Sequence, residues 1–125
     1  PTLKALRRLS LRLGLISNIA RDIVKLTKNL GLTCLLDVTV TSTEVGVEKP
    51  HPKIFRAALA KVGANPEEAL HVGDQPSSDV DGALGTGIRP VLIDRDGTHK
   101  YFDRCSRIEN MNVLPRLVRR WNQAC

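Results

Sequence analysis

Three short stretches of this chain hold side chains suited to handling a phosphoryl group. They are Ser17-Asn18, Glu48-Lys49-Pro50 and Gly73-Asp74-Gln75-Pro76-Ser77-Ser78-Asp79. A hydroxyl and an ammonium can stabilise the oxygens of a transferring phosphoryl group. Two carboxylates cannot face phosphate bare, so Asp74 and Asp79 imply a divalent cation between them. Mg²⁺ suits such a place, because it takes one or two carboxylates and completes its shell with water and phosphate oxygens. Each residue alone has an ordinary explanation. A Ser after a strand usually caps a helix, and Lys49 could be a solvated loop lysine. Asp74 could be a turn residue, and Asp79 could complement a helix dipole. The ordered set is what points to phosphoryl chemistry.

Such residues need a frame that brings them to one edge. Leu3, Leu6 and Leu9 recur at helical spacing, predicting a short basic helix over 2–10. The apolar run over 11–16 predicts a buried strand. Ile19, Ile23, Leu26 and Leu30 mark one face of a helix that Gly31 ends. Residues 37–42, rich in β-branched side chains, predict a second strand, followed by a loop over 45–52. A helix over 53–62 with Ile54, Phe55, Ala58, Leu59 and Val62 on one side ends at Gly63. Asn65-Pro66-Glu67-Glu68 reads as a capped turn. Strands follow at 69–72 and 89–93, with a short helix at 78–84 between them. A closing amphipathic helix over 114–121 turns Leu114, Leu117, Val118 and Trp121 inward. This alternation predicts an α/β fold, a Rossmann-like parallel sheet with helices on both faces. In such sheets ligands gather at the C-terminal strand ends, where the three stretches fall.

With the motifs in this order the chain resembles the haloacid dehalogenase-like (HAD) hydrolase superfamily, in its phosphoglycolate phosphatase-like branch. Leu15-Ile16-Ser17-Asn18 is similar to that family's second motif, and Val47 to Phe55, with Lys49, to its third. His71-Val72-Gly73-Asp74, then Asp79 and Gly82-Ala83, is similar to its fourth. The resemblance runs from about Thr2 to Asp96. It implies that Ser17 and Asn18 hydrogen-bond the phosphoryl group and that Lys49 stabilises its charge. It implies that Asp74 binds Mg²⁺ directly, with Asp79 binding it through water or orienting that shell. An acid after Gly73 also favours a phosphatase of a small phosphorylated metabolite over a dehalogenase.

The family's Asp nucleophile lies in a D-x-D-x-T/V motif before the second motif, with the cap domain between them. None of the residues before Ser17 is acidic. The expectation is therefore a partial core over 1–125, lacking its first, central strand and the cap. Such a chain would not form an aspartyl-phosphate by itself. The family's strand order, 5-4-1-2-3, then leaves two options. The second and fourth strands pair directly, or the sheet is split with open inner edges. Asp94-Arg95-Asp96-Gly97-Thr98 fits the nucleophile pattern by letter, as a circularly permuted chain would place it. Its position after Gly82-Ala83 and Gly87 is instead where the fifth strand and a turn belong.

Composition narrows the alternatives. The 125 residues carry 19 Lys+Arg against 13 Asp+Glu, a formal charge of +6. With 42% hydrophobic and 26% charged residues the chain is neither disordered nor fibrous. No apolar run is long enough to cross a bilayer. Cys34, Cys105 and Cys125 are few and widely spaced, which speaks against a disulfide framework and for a reducing, cytoplasmic setting. The basic residues gather near both ends, at Lys4, Arg7, Arg8 and Arg12 and at Arg116, Arg119 and Arg120. Read from sequence alone they are solvated helix faces, and nucleic acid is disfavoured because aromatic residues are scarce and no recognition motif is present. A HAD-fold remnant serving as a non-catalytic interaction module is the alternative to the phosphatase reading.

Overall fold

The computed structural model describes residues 2–9, 11–18 and 36–124. The helix expected from Ile19 to Leu30 lies outside them. The chain runs α1 (Thr2–Arg8), β1 (Gly14–Ser17), β2 (Val38–Thr41), α2 (Ser42–Val45) and α3 (Pro52–Val62). A 3₁₀ turn at Pro66–Glu68 leads to β3 (Leu70–Gly73). A π-helical turn at Pro76–Val80 runs into α4 (Asp81–Thr86). The chain closes with β4 (Arg89–Ile93), β5 (Ser106–Ile108), a 3₁₀ turn at Met111–Val113 and α5 (Leu114–Ala124). None of the helices among the described residues is long and apolar enough to cross a membrane.

Among the described residues every strand pairing is parallel, as the helix–strand alternation requires. The strands nevertheless form two sheets, β1-β2 and β3-β4-β5. Of the two arrangements expected, the described residues show the split one. β4 is buried from Pro90 to Ile93, the continuous apolar run of a strand covered on both faces. All four residues of its neighbour β3 are only half-buried.

Two apolar clusters flank the strands. Leu6 of α1 and Leu114 and Val118 of α5 pack with Leu13, Val91, Ile93 and Ile108. Ile54, Phe55 and Leu59 of α3 pack with Val40, Ala83 and Ile88 on the other side. Each large side chain so buried contributes about 1.5–3 kcal/mol. The spacing of Ile54, Phe55 and Leu59 on one face is why α3 forms where the sequence predicts it. His51 Nδ1 accepts from the Lys53 N–H at 3.1 Å, Pro52 opens the helix, and Gly63 closes it at φ 73°. Gly82 lets α4 approach α3. A Cβ there would come within 2.5 Å of the Phe55 ring and 3.2 Å of Pro50 Cα.

The structure adds elements that periodicity does not announce. Thr41 and Glu44 form a reciprocal capping box that starts α2 directly after β2. The expected helix over 78–84 begins two residues earlier as the π turn. β5 is a three-residue strand, too short for alternation to show.

Candidate active site

The C-terminal ends of β1 and β3 meet across the division between the sheets, and the loop after α2 closes the gap. A cleft of about 320 Å³ lies there, lined by Ile16, Ser17, Asn18, Lys49, Asp74, Gln75, Ser78 and Asp79. Every residue the sequence singles out for phosphate or cation thus reaches one cleft. Ser17 is buried at the end of β1, opposite Thr41 of β2. Asn18 Oδ1 accepts from the Lys49 N–H at 2.8 Å, which fixes the loop against the end of β1. The Lys49 ammonium then reaches the other sheet and donates to Asp79 Oδ1 at 2.7 Å.

Asp79 is the most constrained polar group here, with a side chain only 4% exposed. Its Oδ1 also lies 2.9 Å from His71 Nε2. A carboxylate only accepts, so Nε2 carries the proton and donates. Oδ2 accepts from the Gln75 N–H at 3.2 Å. Burial by itself raises this carboxyl's pKa. The hydrogen bonds from His71 and Lys49, the Lys49 charge and the Gln75 N–H outweigh it and hold the group well below the usual carboxylate range. Gly73 makes room for this arrangement, because a Cβ at that position would overlap the Asp79 carboxyl group. The glycine is therefore demanded by packing at β3, not by a turn.

His71 is the residue that sequence reasoning missed. Its ring meets Phe55 edge-on, 5.0 Å between centroids at 88°. The signal was there in the strand's period of two. Residues 71 and 73 share a face of β3, so whatever packs on Gly73 also meets His71.

Asp74 is exposed at the wall between this cleft and a second one of about 240 Å³, lined also by Ile93, Asp94, Arg95, Asp96, Thr98 and His99. Asp94 is buried, and its Oδ2 accepts from the His99 N–H and from Arg107 Nε, both at 2.9 Å. It braces the turn after β4 and ties it to β5, as expected of a strand-end turn. Among the described residues no three or more His, Cys, Asp or Glu side chains are gathered to cage a metal. An exposed Asp74 with Asp79 behind it suits an ion that keeps its waters and takes few carboxylates, which is the habit of Mg²⁺.

The sequence and the fold match known proteins. The model of the haloacid dehalogenase-like hydrolase family fits residues 1–87, and the chain belongs to that family. A phosphoserine phosphatase of Thermus thermophilus is 42% identical over 90 residues, 71% of this chain and 36% of that protein. A glyceraldehyde 3-phosphate phosphatase of Methanopyrus kandleri is 40% identical over 97 residues, 76% of this chain and 41% of that protein. Among solved structures, a HAD phosphatase from Thermococcus onnurineus superimposes with a TM-score of 0.89 at 34% identity, covering 94% of this chain and 55% of that one. A 2-haloacid dehalogenase from Pseudomonas syringae does so with 0.86 at 32%, covering 97% and 51%. The chain therefore spans about half, or less, of these relatives' length.

Proposed function

We propose that residues 1–125 form the phosphoryl- and cation-binding part of a Mg²⁺-dependent phosphatase core that acts on a small phosphorylated metabolite. The convergence of Ser17, Asn18, Lys49, Asp74 and Asp79 on one cleft carries this reading. The Ser17 hydroxyl and the Asn18 amide bind phosphoryl oxygens, and the Asn18 carbonyl oxygen holds the Lys49 backbone. Lys49 supplies positive charge at the position Asp79 sets for it. Asp74 would hold Mg²⁺, with Asp79 ordering the polar shell around it; the bound ion neutralises charge on phosphate oxygens. The nucleophilic carboxylate of the family's reaction is, on this reading, not among these residues. The named phosphatase relatives, and the acid that follows Gly73, favour phosphate esters over carbon–halogen bonds as substrates. The scarce, scattered cysteines fit a cytoplasmic setting.

Calorimetric titration with inorganic phosphate and Mg²⁺, beside hydrolysis of p-nitrophenyl phosphate, tests both halves of the proposal. Phosphate binds, Lys49→Ala weakens it about tenfold or more, and the chain alone does not turn over the ester. Binding indifferent to Lys49→Ala refutes the site. Turnover by the chain alone refutes the external nucleophile.

A further inference from the structure

The fold brings together two basic segments from opposite ends of the sequence. α1 and α5 both pack on the cluster containing Leu6, Leu114 and Val118, so they form one outer layer over β4 and β5. Both show the same pattern outward. Lys4, Arg7 and Arg8 are exposed at i, i+3 and i+4 on α1, and Arg116, Arg119 and Arg120 at i, i+3 and i+4 on α5. Neither helix contains an acidic residue. These two helices hold a surplus equal to the whole chain's formal charge of +6.

Some exposed charges elsewhere are matched, as in Lys61–Glu44 at 3.1 Å and Arg104–Asp81 at 2.7 Å, and others, such as Lys53, Arg56 and Arg95, stand singly among the described residues. In this layer, among the described residues, Arg7 alone is matched, bound to Asp37 at 2.9 Å, and the remaining cations are clustered instead of scattered. Lys4, Arg8, Arg116, Arg119 and Arg120 meet no carboxylate among the described residues. Spacing of i and i+4 places like charges about 6 Å apart along each helix, where they repel. Arg116, near the start of α5, also opposes the helix dipole. Nothing local rewards this arrangement, whereas a ladder of anions would.

We infer that the α1–α5 face binds the phosphodiester backbone of a nucleic-acid duplex without reading its sequence. Arginine dominates the face, and its planar fork pairs with phosphate oxygens. Neighbouring helices lie about 8–10 Å apart, so the two rows present cations at spacings that a phosphate backbone can meet. Among the described residues of these two helices, Leu6, Leu114 and Val118 are buried and the Trp121 ring is covered by Arg89 at 4.5 Å; beside them Val113 alone is an exposed large apolar side chain, too little for insertion into a lipid surface. No exposed aromatic is available on these helices for stacking single-stranded bases. The inference is independent of the cleft at Lys49.

Fluorescence anisotropy with a short labelled duplex of mixed sequence, titrated across KCl concentrations, tests it. About five phosphate contacts predict a log–log salt slope near −4.5, so affinity falls roughly 500-fold between about 50 and 200 mM salt. Arg116→Gln, Arg119→Gln and Arg120→Gln together bring the slope to about −2. The corresponding triple Lys variant keeps it near −4.5, and Lys53→Gln, at an exposed cation of α3 outside both this face and the cleft, leaves it unchanged. Four results would each overturn the inference: no duplex binding at low salt, a slope untouched by the triple Gln variant, an equal loss in Lys53→Gln, or binding only to phosphatidylserine vesicles. An equal loss in the triple Lys variant would show a structural defect instead of charge recognition and would overturn it too.

Discussion

Replacing Gly73 by Ala is the sharpest probe of the site, because the structure reverses the usual sign of that substitution. Where the backbone allows it, Gly→Ala stabilises by about 0.4–1 kcal/mol, through the unfolded chain. Gly73 has no positive φ, so its backbone raises no objection. The objection is the Asp79 carboxyl, which occupies the space a Cβ needs. Asp79 must swing away, and its bonds to Lys49, His71 and Gln75 go with it. Hydrogen bonds to charged groups contribute roughly 1.5–3 kcal/mol each, and overpacking costs about 1–3 kcal/mol. Partial relaxation will recover some of this, so the net loss is about 3–5 kcal/mol. For a chain of this size that lowers Tm by roughly 10 °C or more. Urea denaturation followed by circular dichroism measures it. Gly85→Ala is the control. Gly85 lies within α4 with open space where its Cβ would stand, so Ala there stabilises by about 0.5–1 kcal/mol. A neutral or stabilising Gly73→Ala would refute the packing argument.

The Asp79 ion pair also sets an acid limit on stability. A carboxyl held below its ordinary pKa in the folded state binds fewer protons there than when unfolded. Its contribution is complete above about pH 4 and is lost as pH falls toward the folded value. Asp79→Asn should flatten the urea midpoint against pH in that acid range; an unchanged acid slope would contradict the assignment. Asp74→Asn should abolish the Mg²⁺-dependent part of phosphate binding in calorimetry while leaving the melting temperature of the metal-free chain nearly unchanged, because Asp74 is exposed. Asp94→Ala should cost about 1–3 kcal/mol in urea, since it strips Arg107 Nε and the His99 N–H of their shared acceptor. Equal stability would show that the turn after β4 needs no brace.

The parts of this molecule that sequence revealed are those that local chemistry specifies. β4 occupies the very span its apolar run predicts, and α3 follows its apolar face and its flanking Pro52 and Gly63. Ser17, Asn18, Lys49, Asp74 and Asp79 could be picked out because strand ends in a parallel sheet converge. What sequence hid depends on contacts between distant segments. β5 has three residues with Arg107 at its centre, and it is a strand because β4 offers it an edge. The Thr41–Glu44 box was written in the letters but reads equally as the tail of a β-branched strand. The partnership of His71 with Asp79 needs Gly73 to be seen as space rather than as a turn. The two basic triplets acquire meaning only once α1 and α5 are found side by side.

The division between the two sheets has a mechanical consequence. Ser17 and Asn18 belong to one half, Asp74 and Asp79 to the other, and Lys49 stitches them, its backbone to Asn18 and its ammonium to Asp79. The cleft is thus a seam between two sheets, which the two apolar clusters also bridge, Leu13 beside Val91 and Val40 beside Ile88. On the proposed function, a phosphate seated there would touch residues of both sheets and so resist their separation.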